Sequence, residues 1–80
     1  MDDVELVRRI SDLADEEHKL ERSLAGQGHS AEELERLHAI EVALDQCWDL
    51  LRQRRARRSA GRDPDHAAVR PEGTVEGYQQ

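Results

Sequence analysis

The chain has no phenylalanine, one tryptophan, one tyrosine and a single cysteine, and each shortage removes a class of protein. Without a second cysteine no intrachain disulfide forms, so a small disulfide-stapled scaffold is excluded. Two aromatic residues in 80, Trp48 and Tyr78, argue against a thick globular core. No stretch approaches the roughly 18 consecutive apolar residues of a membrane span. The acidic start, Met1-Asp2-Asp3-Val4-Glu5, lacks the apolar run of about 7–15 residues that export requires. The expectation is a cytoplasmic protein with no membrane association.

Charge is plentiful. Charged residues make up 38% of the chain against 36% hydrophobic, a balance that suits long helices carrying one narrow apolar stripe each. The formal net charge of −6 hides a segregation, because residues 52–62 carry six arginines and no acid while the rest is acidic. A core this small rarely supplies more than about 3–5 kcal/mol net, so a staple is expected. With no disulfide available, a second subunit is the expected staple.

Apolar residues at Leu6, Ile10, Leu13, Leu20 and Leu24 recur at helical spacing and predict a first helix over residues 2–25. One position in that stripe holds Glu17 instead of an apolar residue. The stretch 26–30 is a loop, with Gly26 placed for a left-handed helix cap. Ser30-Ala31-Glu32-Glu33 has capping-box spacing and opens a second helix over 31–58, which runs out at Ser59-Ala60-Gly61. The second stripe is Leu34, Leu37, Ile40, Leu44, Cys47, Trp48 and Leu51. A short connection makes the helices antiparallel neighbours. Matching the stripes pairs Leu24 with Leu34, Leu20 with Leu37, Leu13 with Leu44, Ile10 with Trp48 and Leu6 with Leu51. The same register sets Glu17 against Glu41 and the acidic start against Arg54 and Arg55.

The fold class is thus all-α: an antiparallel, coiled-coil-like two-helix hairpin over 1–61, followed by a mostly irregular tail over 62–80. Asp63-Pro64-Asp65 starts a helical turn with proline at its first position, and Pro71 and Gly73 stop it. The tail beyond it is expected to be mobile. One stripe per helix leaves Val7, Ile40, Val42 and Leu50 at least partly wet. A homodimer closing into a four-helix bundle is expected to cover them.

Constellations that carry chemistry are weak here. Gly26-Gln27-Gly28-His29-Ser30-Ala31 matches a dinucleotide fingerprint, but that motif works only after a strand, and a helix precedes it. Glu35-x-x-His38, with Glu17, His18 and Glu21 on the facing helix, is reminiscent of the inward carboxylates of metal-carboxylate bundles. Its histidine, however, lies about 100° around the helix from Leu37. Cys47 on the apolar stripe suits a buried small hydrophobe rather than a nucleophile. No histidine has a serine or cysteine partner at a recognisable spacing. The expectations are no enzyme, no cofactor, no metal site and no small-molecule substrate.

The stretch Leu44-Asp45-Gln46-Cys47-Trp48-Asp49-Leu50-Leu51-Arg52-Gln53-Arg54-Arg55-Ala56 resembles the hallmark of a small actinobacterial family, a domain of unknown function. Glu16-Glu17-His18, Asp63-Pro64-Asp65, Val69-Arg70-Pro71 and Val75-Glu76-Gly77-Tyr78 fit the same family. The resemblance spans most of the chain. It implies an actinobacterial cytosolic protein of helical-hairpin type, and implies no activity, cofactor or site.

The functional expectation is a protein–protein interaction module. Its candidate partner-binding residues are Arg52, Arg54, Arg55, Arg57, Arg58 and Trp48, a cationic segment suited to an acidic protein surface. Two alternatives stand beside it. One is a nucleic-acid-binding accessory protein gripping phosphates with Arg52 to Arg62, although no aromatic is interleaved to stack on bases. The other is the metal-carboxylate bundle. The arginines are expected to contribute little to the fold, as surface ion pairs usually do.

Overall fold

The computed structural model describes residues 1–26 and 30–73. Helix α1 runs from Asp3 to Gly26 and helix α2 from Ala31 to Ser59, packed antiparallel. A short 3-10 turn, Pro64–His66, follows, and no strand occurs among the described residues. The all-α hairpin read from the sequence is the fold.

Local chemistry sets the helix ends. Asp2 Oδ1 accepts from the Glu5 N–H at 2.8 Å, satisfying one of the free donors where α1 begins. At the start of α2 the capping box is complete: Ser30 Oγ accepts from the Glu33 N–H, and the Glu33 carboxylate accepts from the Ser30 N–H. The left-handed cap expected at Gly26 is not there, since Gly26 is still helical, and among the described residues only Gly61 has positive φ. Gly28 and His29 of the fingerprint lie outside the described residues. Gly61, at φ 74°, ends α2 instead. Its N–H donates to the Arg58 carbonyl and the Arg62 N–H to the Arg57 carbonyl at 2.7 Å, which is a Schellman closure. That turn reverses the chain and sends it back along α2.

The seam between the helices is a heptad pattern. On α1 the buried residues are Leu6, Ile10 and Leu13, and on α2 they are Ile40, Leu44 and Leu51. The register agrees with the expectation, because Asp3 meets Arg54 and Ser23 meets Glu33. The composition of the α2 stripe does not. Its seam runs Glu33, Leu37, Ile40, Leu44, Cys47, Leu51, Arg54, so Leu34 and Trp48 fall off its edge and stand 49% and 46% exposed. Ile40, expected to be partly wet, is 1% exposed for the same reason. Cys47 is only half-buried, with Arg9 against its thiol, although burial pushes that thiol's pKa up.

From Arg62 to Pro71 the segment is irregular apart from the proline-led turn, whose Asp63 side chain accepts from the Asp65 N–H. Up to residue 73 it lies back against α2. Gln53 Nε2 donates to the Ala68 carbonyl at 2.7 Å, and the Ala68 N–H donates back to Gln53 Oε1 at 3.4 Å. Gln46 Nε2 donates to the Arg70 carbonyl, and Glu72 pairs with His38 at 3.5 Å. Residues 74–80, including Tyr78, lie outside the described residues.

Candidate interaction surface

The arginine run divides into three groups with different neighbours. Arg54 points inward, its side chain 7% exposed, and its guanidinium is shared by Asp3 of α1 and Asp65 of the 3-10 turn. Arg58 adds a second hydrogen bond to Asp3 at 2.7 Å. These pairs hold the carboxyls of Asp3 and Asp65 below the usual carboxylate range and raise Arg54 further. Arg54 is therefore a clamp between three segments of the chain, not a partner-binding residue. Its fork geometry lets one side chain serve two acids at once.

The second group lies where α2 meets the returning segment. Arg57, Arg62 and Arg70, with Gln53, Ala56 and Ala60, line an open groove of about 450 Å³. Arg70 is anchored at its base, 3.6 Å from the carboxylate of Asp49, whose side chain is 2% exposed. Asp49 also accepts from Gln53 Nε2 at 2.8 Å. Among the described residues no buried side-chain polar atom lacks a partner, so this buried acid is satisfied. Arg57 and Arg62 have no ion pair among the described residues.

The third group is on another side of α2. Trp48, Arg52 and Arg55 are all exposed there and share a helical stripe with Glu41 and the half-buried Asp45. The six expected site residues thus do not form one patch. Asp49, Gln53 and Arg70 escape a reading of the sequence because a charged residue in a helix reads as a solvated face. Only the spacing of Asp49 and Gln53, one turn apart, hints at a local network.

Glu17 sits half-buried in the α1 seam, opposite Glu41 as expected. Burial raises its pKa first, and the charges of Glu21 and Glu41 raise it further. A raised carboxyl pKa opposes folding once the group ionises. The contribution is favourable below the unfolded value and is lost as pH rises through the folded one. Glu17→Leu, which completes the apolar stripe, is expected to raise the Tm by a few degrees at neutral pH. A fall of several degrees in a thermal melt would show that the glutamate holds something in place.

His38, the histidine of Glu35-x-x-His38, turns to Glu72 and away from the seam. Among the described residues no group of three or more His, Cys, Asp or Glu side chains is placed to hold a metal ion. No helix there is long and apolar enough to cross a membrane.

A hairpin closed by a returning segment, with arginines both locked inside and presented outside, defines a small all-helical scaffold. The chain belongs to the family described as "Protein of unknown function (DUF2630)", which matches residues 2–80. It is 53% identical over 77 residues to uncharacterized protein Rv0898c of Mycobacterium tuberculosis, covering 95% of this chain and 88% of that one. The same figures hold for uncharacterized protein Mb0922c of Mycobacterium bovis. The resemblance to an actinobacterial family of unknown function is thereby shown. No solved structure matches the chain.

Proposed function

We propose that this protein is a cytoplasmic, non-catalytic interaction module whose Arg57–Arg62–Arg70 groove receives an acidic segment of a partner protein. The observation that supports the reading is the state of these arginines. Arg54 and Arg58 are taken up by Asp3, whereas Arg57 and Arg62 line an open groove with no acid paired to them among the described residues. Guanidiniums with open donors recognise carboxylates in bidentate fashion. An acidic peptide fits better than a nucleic acid on two counts. Among the described residues no aromatic lines the groove for a base to stack on. A long polyanion would also meet the acidic remainder of a chain with net charge −6.

The test is capture from native cytosol by wild type and by the Arg57→Gln/Arg62→Gln variant, with mass spectrometry of what is retained. Glutamine keeps helix propensity, and neither arginine supports the core, so the variant's Tm should match wild type. Wild type should retain a protein with an acidic segment, released as salt rises toward about 0.5 M. The variant should retain at least about tenfold less, the equivalent of one lost charge-assisted contact. Equal capture by the variant, or an eluate dominated by nuclease-sensitive material, would overturn the reading.

A further inference from the structure

The third arginine group lies on a different side of α2 from the groove and carries its own information. Glu41, Asp45, Trp48, Arg52 and Arg55 follow one another at spacings of four and three residues. That heptad spacing keeps all five within about 80° of one another on the helix. Among the described residues nothing covers most of the stripe. Glu41, Trp48, Arg52 and Arg55 are exposed, and Asp45 is half-buried. The returning segment packs on the side of Gln46, Asp49 and Gln53, and Arg52 at the margin of the stripe shares a small cavity with Asp49, Gln53 and Arg70.

The hairpin has two edges, and the contacts between helices tell them apart. Glu16 with Arg36, and Arg9 with Cys47, mark one edge. Glu17, close to Glu41 and Asp45, marks the other, where Trp48 lies. By heptad spacing from Glu21, the α1 residues Ala14 and Val7 turn toward that second edge. Val7 is 51% exposed and Trp48, the only tryptophan, 46% exposed. The edge therefore presents apolar side chains between an acidic half and a basic half.

We propose that this edge binds a second copy of the chain in a twofold dimer, with the two α2 helices antiparallel, Trp48 at the axis, and Glu41 of each copy against Arg55 of the other. The charge order selects this arrangement. Both acids precede Trp48 and both arginines follow it, so parallel helices would set like charges together. In the antiparallel arrangement centred on Trp48, Glu41 meets Arg55 and Asp45 meets Arg52. The two pairs share one centre to within half a residue, so a shift by a heptad breaks both. A stripe complementary to itself about its own midpoint fits a twofold, isologous contact.

The acidic half also needs a cation. Glu17 lies close enough to Glu21, Glu41 and Asp45 for their charges to repel. Arg55 of the second copy arrives at that cluster. Asp45 and Arg52 already engage neighbours within their own chain, so the outer Glu41–Arg55 pair carries the specificity.

Charge reversal in full-length protein tests this by light scattering and sedimentation at about 100 µM, a concentration that detects micromolar dimers. Wild type should show a two-copy mass. Trp48 emission should be blue-shifted relative to diluted samples. Glu41→Arg and Arg55→Glu should each weaken the dimer at least about tenfold while keeping the helical circular dichroism. The double variant Glu41→Arg/Arg55→Glu should dimerise again, because its swapped charges still face each other. Mixing the two single variants should give a heterodimer, one copy presenting two arginines and the other two glutamates. A monomeric wild type, single variants as dimeric as wild type, or failure of both the double variant and the mixture to recover the dimer would overturn the proposal.

Discussion

Leu51→Ala should leave the chain largely unfolded at physiological temperature. Leu51 is 1% exposed, and the sequence register sets it against Leu6, which is buried to the same degree. Among the described residues the core holds six large aliphatic side chains, so each is a large share of it. Truncating a buried leucine to alanine costs about 2–5 kcal/mol, the lost transfer free energy plus the cavity left behind. A domain of this size has only about 3–5 kcal/mol to lose. Far-UV circular dichroism during a thermal melt, at fixed protein concentration, reads the result. The expected drop in Tm is about 10 °C or more, and a drop under about 4 °C would show that the seam repacks around the gap. Val4→Ala, on the side of α1 away from both the seam and the Trp48 edge, is the control and should barely move it.

The second large effect is at Arg54, where the sequence alone leads one to expect a dispensable surface charge. Arg54→Met removes the guanidinium that holds Asp3 and Asp65 to α2. Arg58 still reaches Asp3, but Asp65 loses its only arginine among the described pairs. The start of α1 and the returning segment should loosen together, lowering the Tm by about 10 °C and exposing residues 60–73 to proteolysis. Arg54→Lys should rescue little, because one ammonium does not span two carboxylates in fixed directions.

The same site gives a pH signature of defined sign. Asp3 and Asp65 have folded pKa values below their unfolded ones because of Arg54. Their contribution is therefore fully present above the unfolded value, about 4, and is lost as pH falls through the folded values. Wild-type Tm should fall steeply on acidification below about pH 4, and Arg54→Met should fall less steeply. Parallel curves for the two proteins would show that Arg54 is not the group coupled to those acids. Glu17 acts in the opposite sense over the carboxylate range, since its folded pKa is raised.

Much of the hairpin is local chemistry and is legible in the order of the residues. The α1 stripe has a clean heptad period from Leu6 to Leu24, with Glu17 as its one polar member. The Ser30–Glu33 box fixes where α2 begins. An apolar period plus a short connection leaves one antiparallel register, and the clash of Glu17 with Glu41 follows from it. These features depend on residues three or four apart, which is the range over which sequence periodicity carries information.

Only the tertiary structure decided which polar residues are inside and which arginines remain outside. The α2 seam begins and ends on charged residues, Glu33 and Arg54, which a search for apolar periodicity passes over in favour of Leu34 and Trp48. Asp49 is buried because a segment about 20 residues later in the chain lies over it, anchored by Arg70 and by the Gln53 hydrogen bonds to Ala68. Bonds from a side chain to a backbone depend on no particular residue at the backbone position, so they leave no pattern in the sequence. The division of one arginine run into a clamp, a groove and a self-complementary stripe has the same origin. Charge is a property of composition, but whether a charge is spent inside the fold depends on which acid the folded chain brings to it.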